Sequence, residues 1–104
     1  MTDRELLELA AKAAGKTNWQ SQTRWDSEGV PYWNPLTDDG DALRLAVKLG
    51  IRVEPSPRGC SVMWPGGAGL RVETILNSTI GADSATSTRR AIVRAAAEIG
   101  RAKL

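Results

Sequence analysis

The tightest acidic cluster of the chain is Asp38, Asp39 and Asp41, three carboxylates that could gather a hard cation. A calcium loop sets oxygen ligands at alternate positions and closes on a Glu at the twelfth. Counting from Asp39 or Asp41 reaches Gly50 or Arg52, so the pattern fails, and the cluster reads as the cap and first turn of a helix. Glu54 and Glu73 could form an acid–base pair, but each alternates with apolar neighbours, which predicts two carboxylates on a solvated sheet face. Cys60 is the only cysteine, and the chain has no histidine. A thiol or serine nucleophile therefore lacks its usual base, and a structural zinc site lacks its ligand set. Cys60 reads as a small buried core residue. Pro65-Gly66-Gly67-Ala68-Gly69 is glycine-rich, yet a strand follows it where a phosphate loop would run into a helix. It reads as a hairpin turn. No catalytic, metal or cofactor residue is assigned, and the chain is read as a non-enzyme. A His-free hydrolase would need a deep pocket lined by Glu54, Glu73 or Cys60.

Two sets of residues could bind rather than react. Trp19, Trp25, Tyr32 and Trp33 are interleaved aromatics that, in a small chain without Phe, read first as core or hairpin volume and second as rings that stack bases or anchor a protein partner. Trp33 abuts a helix cap, which leaves Trp19 and Trp25 as the rings for a surface. Arg89, Arg90, Arg94, Arg101 and Lys103 cluster near the C-terminus, and Arg90, Arg94 and Arg101 share one helical face. Such a face can touch phosphates or serve as the wet side of an amphipathic helix. The candidate interaction surface is Trp19, Trp25, Arg90, Arg94 and Arg101.

The elements that must position these groups are legible from periodicity. Thr2 and Glu5 form a capping box for a helix over 3–14, with Leu6, Leu7, Ala10, Ala11, Ala13 and Ala14 on its buried side and Gly15 at its end. Residues 16–33 read as a β-hairpin or ordered loop turning at Asp26-Ser27-Glu28-Gly29. Asp38 caps a second helix over 39–49, with Ala42, Leu45, Ala46 and Leu49 inward and Gly50 as its stop. Strands follow over 51–54, 60–64 and 70–75, joined by turns at 55–59 and 65–69, and short connections make neighbours antiparallel. The Ser/Thr-rich stretch 76–88 reads as a mobile link. A last helix begins near Ala85 or Thr88 and runs to Ile99, with Ile92, Ala95, Ala96 and Ile99 inward and Gly100 closing it.

The chain has 104 residues, 41% apolar and 25% charged, which suits one domain over 1–104 with its own core. Net charge is +2. It is split: residues 1–50 carry 6 basic and 8 acidic groups, and residues 51–104 carry 8 and 4. That asymmetry suits self-association or a weakly basic face, and falls short of a nucleic-acid tail. Four Trp stand beside one Tyr and no Phe. A lone cysteine, no apolar run near the ~18 residues of a membrane span and a charged start in place of a secretory leader point to the cytoplasm.

Three segments carry a resemblance. The opening Thr2–Gly15, the central Trp33-Asn34-Pro35-Leu36-Thr37-Asp38-Asp39-Gly40-Asp41-Ala42-Leu43-Arg44-Leu45-Ala46 and the ending Arg89–Gly100 are similar to the phage ABA sandwich domain family. The central segment is the distinctive one, and 55–88 matches nothing in the family. The resemblance implies a bacteriophage or prophage origin and a sheet layered between helices. It carries over no catalytic or binding residue.

The expected fold is α+β: an antiparallel sheet of three to five strands packed between helices as a three-layer α-β-α sandwich, in the order α-(ββ)-α-β-β-β-α. The expected function is that of a small accessory protein of a phage or prophage, in the host cytoplasm, acting through contacts with a host or phage protein or with its own copies as a homodimer. No cofactor and no membrane are expected. The alternative is weak nucleic-acid binding by the basic last helix and an exposed Trp.

Overall fold

The computed structural model describes residues 2–15, 33–67 and 69–102. They form α1 (Asp3–Ala13), α2 (Asp39–Leu49), β1 (Arg52–Ser56), β2 (Gly59–Gly66), β3 (Gly69–Leu76), α3 (Asn77–Ile80) and α4 (Ser84–Ala102). The protein is α+β: the described residues form an antiparallel three-stranded sheet in the order β1-β2-β3 flanked by helices. The additional hairpin expected over 16–33 falls on residues outside the described set, apart from Trp33, which is buried. No helix among the described residues is long and apolar enough to cross a membrane.

Local chemistry sets the first two helices as their sequences suggest. The Glu5 N–H donates to Thr2 Oγ1 at 3.1 Å, and the Thr2 hydroxyl donates to Glu5 Oε1 at 3.1 Å. The Asp41 N–H donates to Asp38 Oδ2 at 2.8 Å, the cap that α2 needs. Gly50 closes α2 at φ +68°, a left-handed turn that favours a residue without Cβ.

α4 is the centre of the molecule. It packs against α1, α2 and all three strands. Ala91, Val93, Ala95 and Ala96 are fully buried on it, because small side chains let neighbours approach from several sides. Residues 100–102 extend this helix beyond the expected stop. Gly100 does not end it: the helix runs through to Ala102. A Cβ at Gly100 would stand 2.0 Å from the Leu9 carbonyl oxygen, so the glycine is there to let α1 lie against α4.

The strands are longer than expected, and two turns are correspondingly tighter. β1 continues through Pro55 to Ser56, and β2 starts at Gly59. β2 continues through Pro65 to Gly66, opposite Gly69. Residues 76–88, expected as a mobile link, hold α3 and the first turn of α4. Their polar groups are tied down: the Ser87 hydroxyl donates to Asn77 Oδ1 at 2.6 Å, and Asn77 Nδ2 donates to the Pro57 carbonyl at 3.0 Å. Thr88 Oγ1 donates to the Ser84 carbonyl at 2.7 Å. Ser87 is wholly buried.

One sheet face carries Val53, Cys60, Val62, Trp64 and Ile75 toward the helices. The opposite face carries Arg52, Glu54, Ser61, Met63, Leu70, Val72 and Thr74, and the described elements leave it open.

Candidate interaction surface

The residues that could have done chemistry have structural tasks. Asp38 caps α2. Asp39 lies 2.5 Å from Arg89 Nη1. Asp41 is buried, accepts the Asn34 N–H at 2.9 Å, and lies 2.7 Å from Arg44 Nη2. Asp38 and Asp41 share Arg44, whose Nη2 lies 3.8 Å and 2.7 Å from them, while Asp39 turns to Arg89, so arginines and backbone N–H groups occupy the three carboxylates. Among the described residues no group of three or more Cys, Asp or Glu is placed to hold a metal ion. Cys60 is 2% exposed, and burial pushes its thiol above the ordinary value, away from the reactive thiolate.

Glu54 and Glu73 do not converge. Glu54 stands opposite Ser61 on the open face, exposed as expected. Glu73 stands opposite the buried Val62, on the helix side, where its carboxylate lies 3.0 Å from Arg94 Nη2. The expectation of a solvated Glu73 is corrected here. The alternation in β3 was read correctly, but its phase is reversed: polar Arg71 and Glu73 turn toward the helices, and apolar Leu70 and Val72 turn away.

The arginines expected on a free basic face carry carboxylates. Arg90 Nη2 lies 2.9 Å from Asp3, Arg94 pairs with Glu73, and Arg101 Nη1 lies 3.7 Å from Glu98. Arg90 and Arg94 share a cleft of about 180 Å³ with Leu6, Glu73 and Glu98. Trp19, Trp25 and Lys103 lie outside the described residues. Arg89, grouped with these arginines by sequence, has another role. Its Nε donates to the Leu36 carbonyl at 3.0 Å and its Nη2 to Thr86 Oγ1 at 3.1 Å, which ties α4 to the segment before α2.

A second concavity of about 370 Å³ lies between α2, β1 and α4, walled mainly by Ala42, Leu43, Val53, Pro55, Ala85 and Ile92. Neither Glu54 nor Cys60 lines either space.

What sequence reasoning missed is the outer strand. Leu70 and Val72 are each 58% exposed and Leu76 is 45% exposed, all on β3. An exposed apolar row on a regular edge strand is unusual, because edges are ordinarily blunted by proline, charge or shortness. β1, the other edge, follows that habit. It has five residues, and Pro55 has no N–H to offer. β3 has eight residues without a proline, and its two charges, Arg71 and Glu73, are of opposite sign and turn toward the helix side. Pro65, lacking an N–H, can stand opposite Leu70 only where the pair exchanges no hydrogen bonds. That fixes the alternation: Arg71, Glu73 and Ile75 bond to β2, while the N–H and C=O of Leu70, Val72 and Thr74 point outward. The Asn77 N–H to Arg58 carbonyl bond, 2.8 Å, continues the same alternation. The one signal in the sequence is Pro65, which marks the outward β3 backbone positions once its register opposite Leu70 is known.

No protein-family model, curated protein or solved structure matches the chain.

Proposed function

We propose that this chain is a small non-catalytic protein that acts through protein–protein contacts made along β3. The observation that carries the reading is the row Leu70, Val72 and Leu76, exposed on one edge strand whose outward backbone groups have no partner among the described residues. A strand in this state recruits another chain by β-addition, with main-chain hydrogen bonds for affinity and alternate side chains for selectivity. The structural use of Asp38, Asp39, Asp41 and Cys60 supports the non-catalytic part. The resemblance of Thr2–Gly15, Trp33–Ala46 and Arg89–Gly100 to the phage ABA sandwich domain family supports an accessory role in a phage or prophage, in the bacterial host cytoplasm. The nucleic-acid alternative draws less support, because Arg90 and Arg94 are each neutralised by a carboxylate.

The test is a photo-crosslinking amino acid at Val72, with Lys48 on the exposed side of α2 as control, in bacterial cells producing the protein. The reading expects a discrete protein adduct from position 72 and none from position 48. Absence of any protein adduct at 72 would overturn it.

A further inference from the structure

We infer that the occupant of the β3 edge is a second copy of this chain, joined antiparallel through a two-fold axis at Val72 to make a continuous six-stranded sheet. The inference rests on the reading of β3 as a docking edge and adds the partner and its register. Only Leu70, Val72, Thr74 and their even-numbered neighbours present backbone groups outward, so a hydrogen-bonded self-pairing must bring these residues opposite one another. With the axis at Val72, Val72 meets its own copy and Leu70 meets Thr74. Each such pair exchanges two N–H···O=C bonds.

Charge selects this axis over the neighbouring ones. Pivoting on Val72 sets Arg71 of each copy directly opposite Glu73 of the other, twice, in the closer non-hydrogen-bonded positions on the helix side. A pivot one residue earlier would face Arg71 with Arg71, and one residue later Glu73 with Glu73. Both would still set outward residues opposite one another, Leu70 with Val72 or Val72 with Thr74, so it is the like-charge contact that makes them unfavourable. Both side chains are available for the role. Arg71 is exposed over the Trp64 ring at 6.0 Å, and Glu73, 29% exposed, keeps its pairing to Arg94 on one side. Leu70, Val72 and Met63 of the two copies then form one apolar stripe on the open face. A sheet edge is self-complementary in this way only when its sequence matches its own reverse, and Arg71-Val72-Glu73 does so in charge.

The closing experiment uses the purified full chain and sedimentation equilibrium. Wild type is expected to be a reversible dimer. Arg71→Glu alone and Glu73→Arg alone place like charges opposite each other and are expected to weaken self-association at least tenfold. An equimolar mixture of the two variants restores complementary pairing and is expected to associate at least tenfold more tightly than either alone. Val72→Pro, which removes an outward N–H and leaves the bonds to β2 in place, is expected to be monomeric with its helical circular dichroism retained. A monomeric wild type, a mixture no tighter than its components, or a Val72→Pro variant that dimerises like wild type would each overturn the inference. If wild type is monomeric while position 72 still crosslinks to another protein, the second copy is refuted and the docking edge stands. If position 72 crosslinks to nothing, the docking edge falls as well.

Discussion

Glu73 stands opposite Val62 across the β2–β3 ladder, and its carboxylate meets Arg94 of α4 at 3.0 Å. That relationship sets the phase of the whole outer strand. Because Glu73 turns inward, Leu70 and Val72 must turn outward, and Ile75 returns to the core at 4% exposure. The consequence is measurable by urea unfolding. Leu70→Ser and Val72→Thr are expected to change stability by no more than about 0.5 kcal/mol in the monomeric state. Ile75→Ala is expected to cost about 2–5 kcal/mol, because it empties a core position. The opposite phase would reverse that order.

Gly100 gives a prediction whose sign is informative. In a free helix, replacing glycine by alanine stabilises by about 1 kcal/mol. Here the added Cβ would fall 2.0 Å from the Leu9 carbonyl oxygen, a backbone atom that cannot rotate away. Gly100→Ala is therefore expected to destabilise by about 1–3 kcal/mol, the usual range for overpacking. The check is the urea midpoint of the variant against wild type.

Asp83 makes the start of α4 sensitive to acid. Hydrogen bonds from Thr86, whose N–H reaches Asp83 Oδ1 at 2.8 Å, hold the Asp83 carboxyl below its ordinary value. A depressed folded-state value means that the ionised cap stabilises the fold above the ordinary aspartate range, and that this contribution is lost as pH falls through the folded-state value. Thermal midpoints of wild type and Asp83→Ala are expected to differ most near neutral pH and to converge as pH falls below the ordinary aspartate value and through the lowered folded-state one. A gap that widened in acid would contradict the assignment.

The ion pairs of α4 bear on the nucleic-acid alternative. Titration of single- and double-stranded DNA, followed by fluorescence anisotropy, is expected to show no affinity that falls steeply with salt. Arg90→Ala combined with Arg94→Ala is expected to lower stability, by up to about 1 kcal/mol for each partly exposed pair. DNA affinity that is steep in salt and abolished by the double substitution would favour the alternative.

Much of the architecture was legible because local chemistry decides it. Asp38 and Gly50 bracket α2 at the expected residues, and the T-x-x-E start of α1 forms its cap. The α+β class followed from three short extended segments set between amphipathic helices. The strand ends differ from expectation because proline reads as punctuation in a sequence. Pro55 stands where its nitrogen points to the outer edge of β1, and Pro65 stands at a position of the β2–β3 ladder that exchanges no hydrogen bonds, so both strands continue through them. Gly100 was misread because a glycine near a helix end looks the same whether it stops the helix or admits a neighbour. The polar run 76–88 was misread because serines and asparagines that bond one another, such as Ser87 and Asn77, have the composition of a loop. The candidate surface was the least legible part. Alternation in β3 announces a strand with two unlike faces, but the face that meets the helices is fixed by the register with β2, which a single strand's pattern does not contain.

The central claim, that β3 is a docking edge taken by another copy, is tested most directly by amide hydrogen exchange read residue by residue across a range of protein concentration. The account predicts that the amides of Leu70, Val72 and Thr74 gain protection as concentration rises, while those of Arg71, Glu73 and Ile75, bonded to β2, stay protected throughout. Amides at Leu70, Val72 and Thr74 that exchange at unprotected rates at every concentration would contradict it.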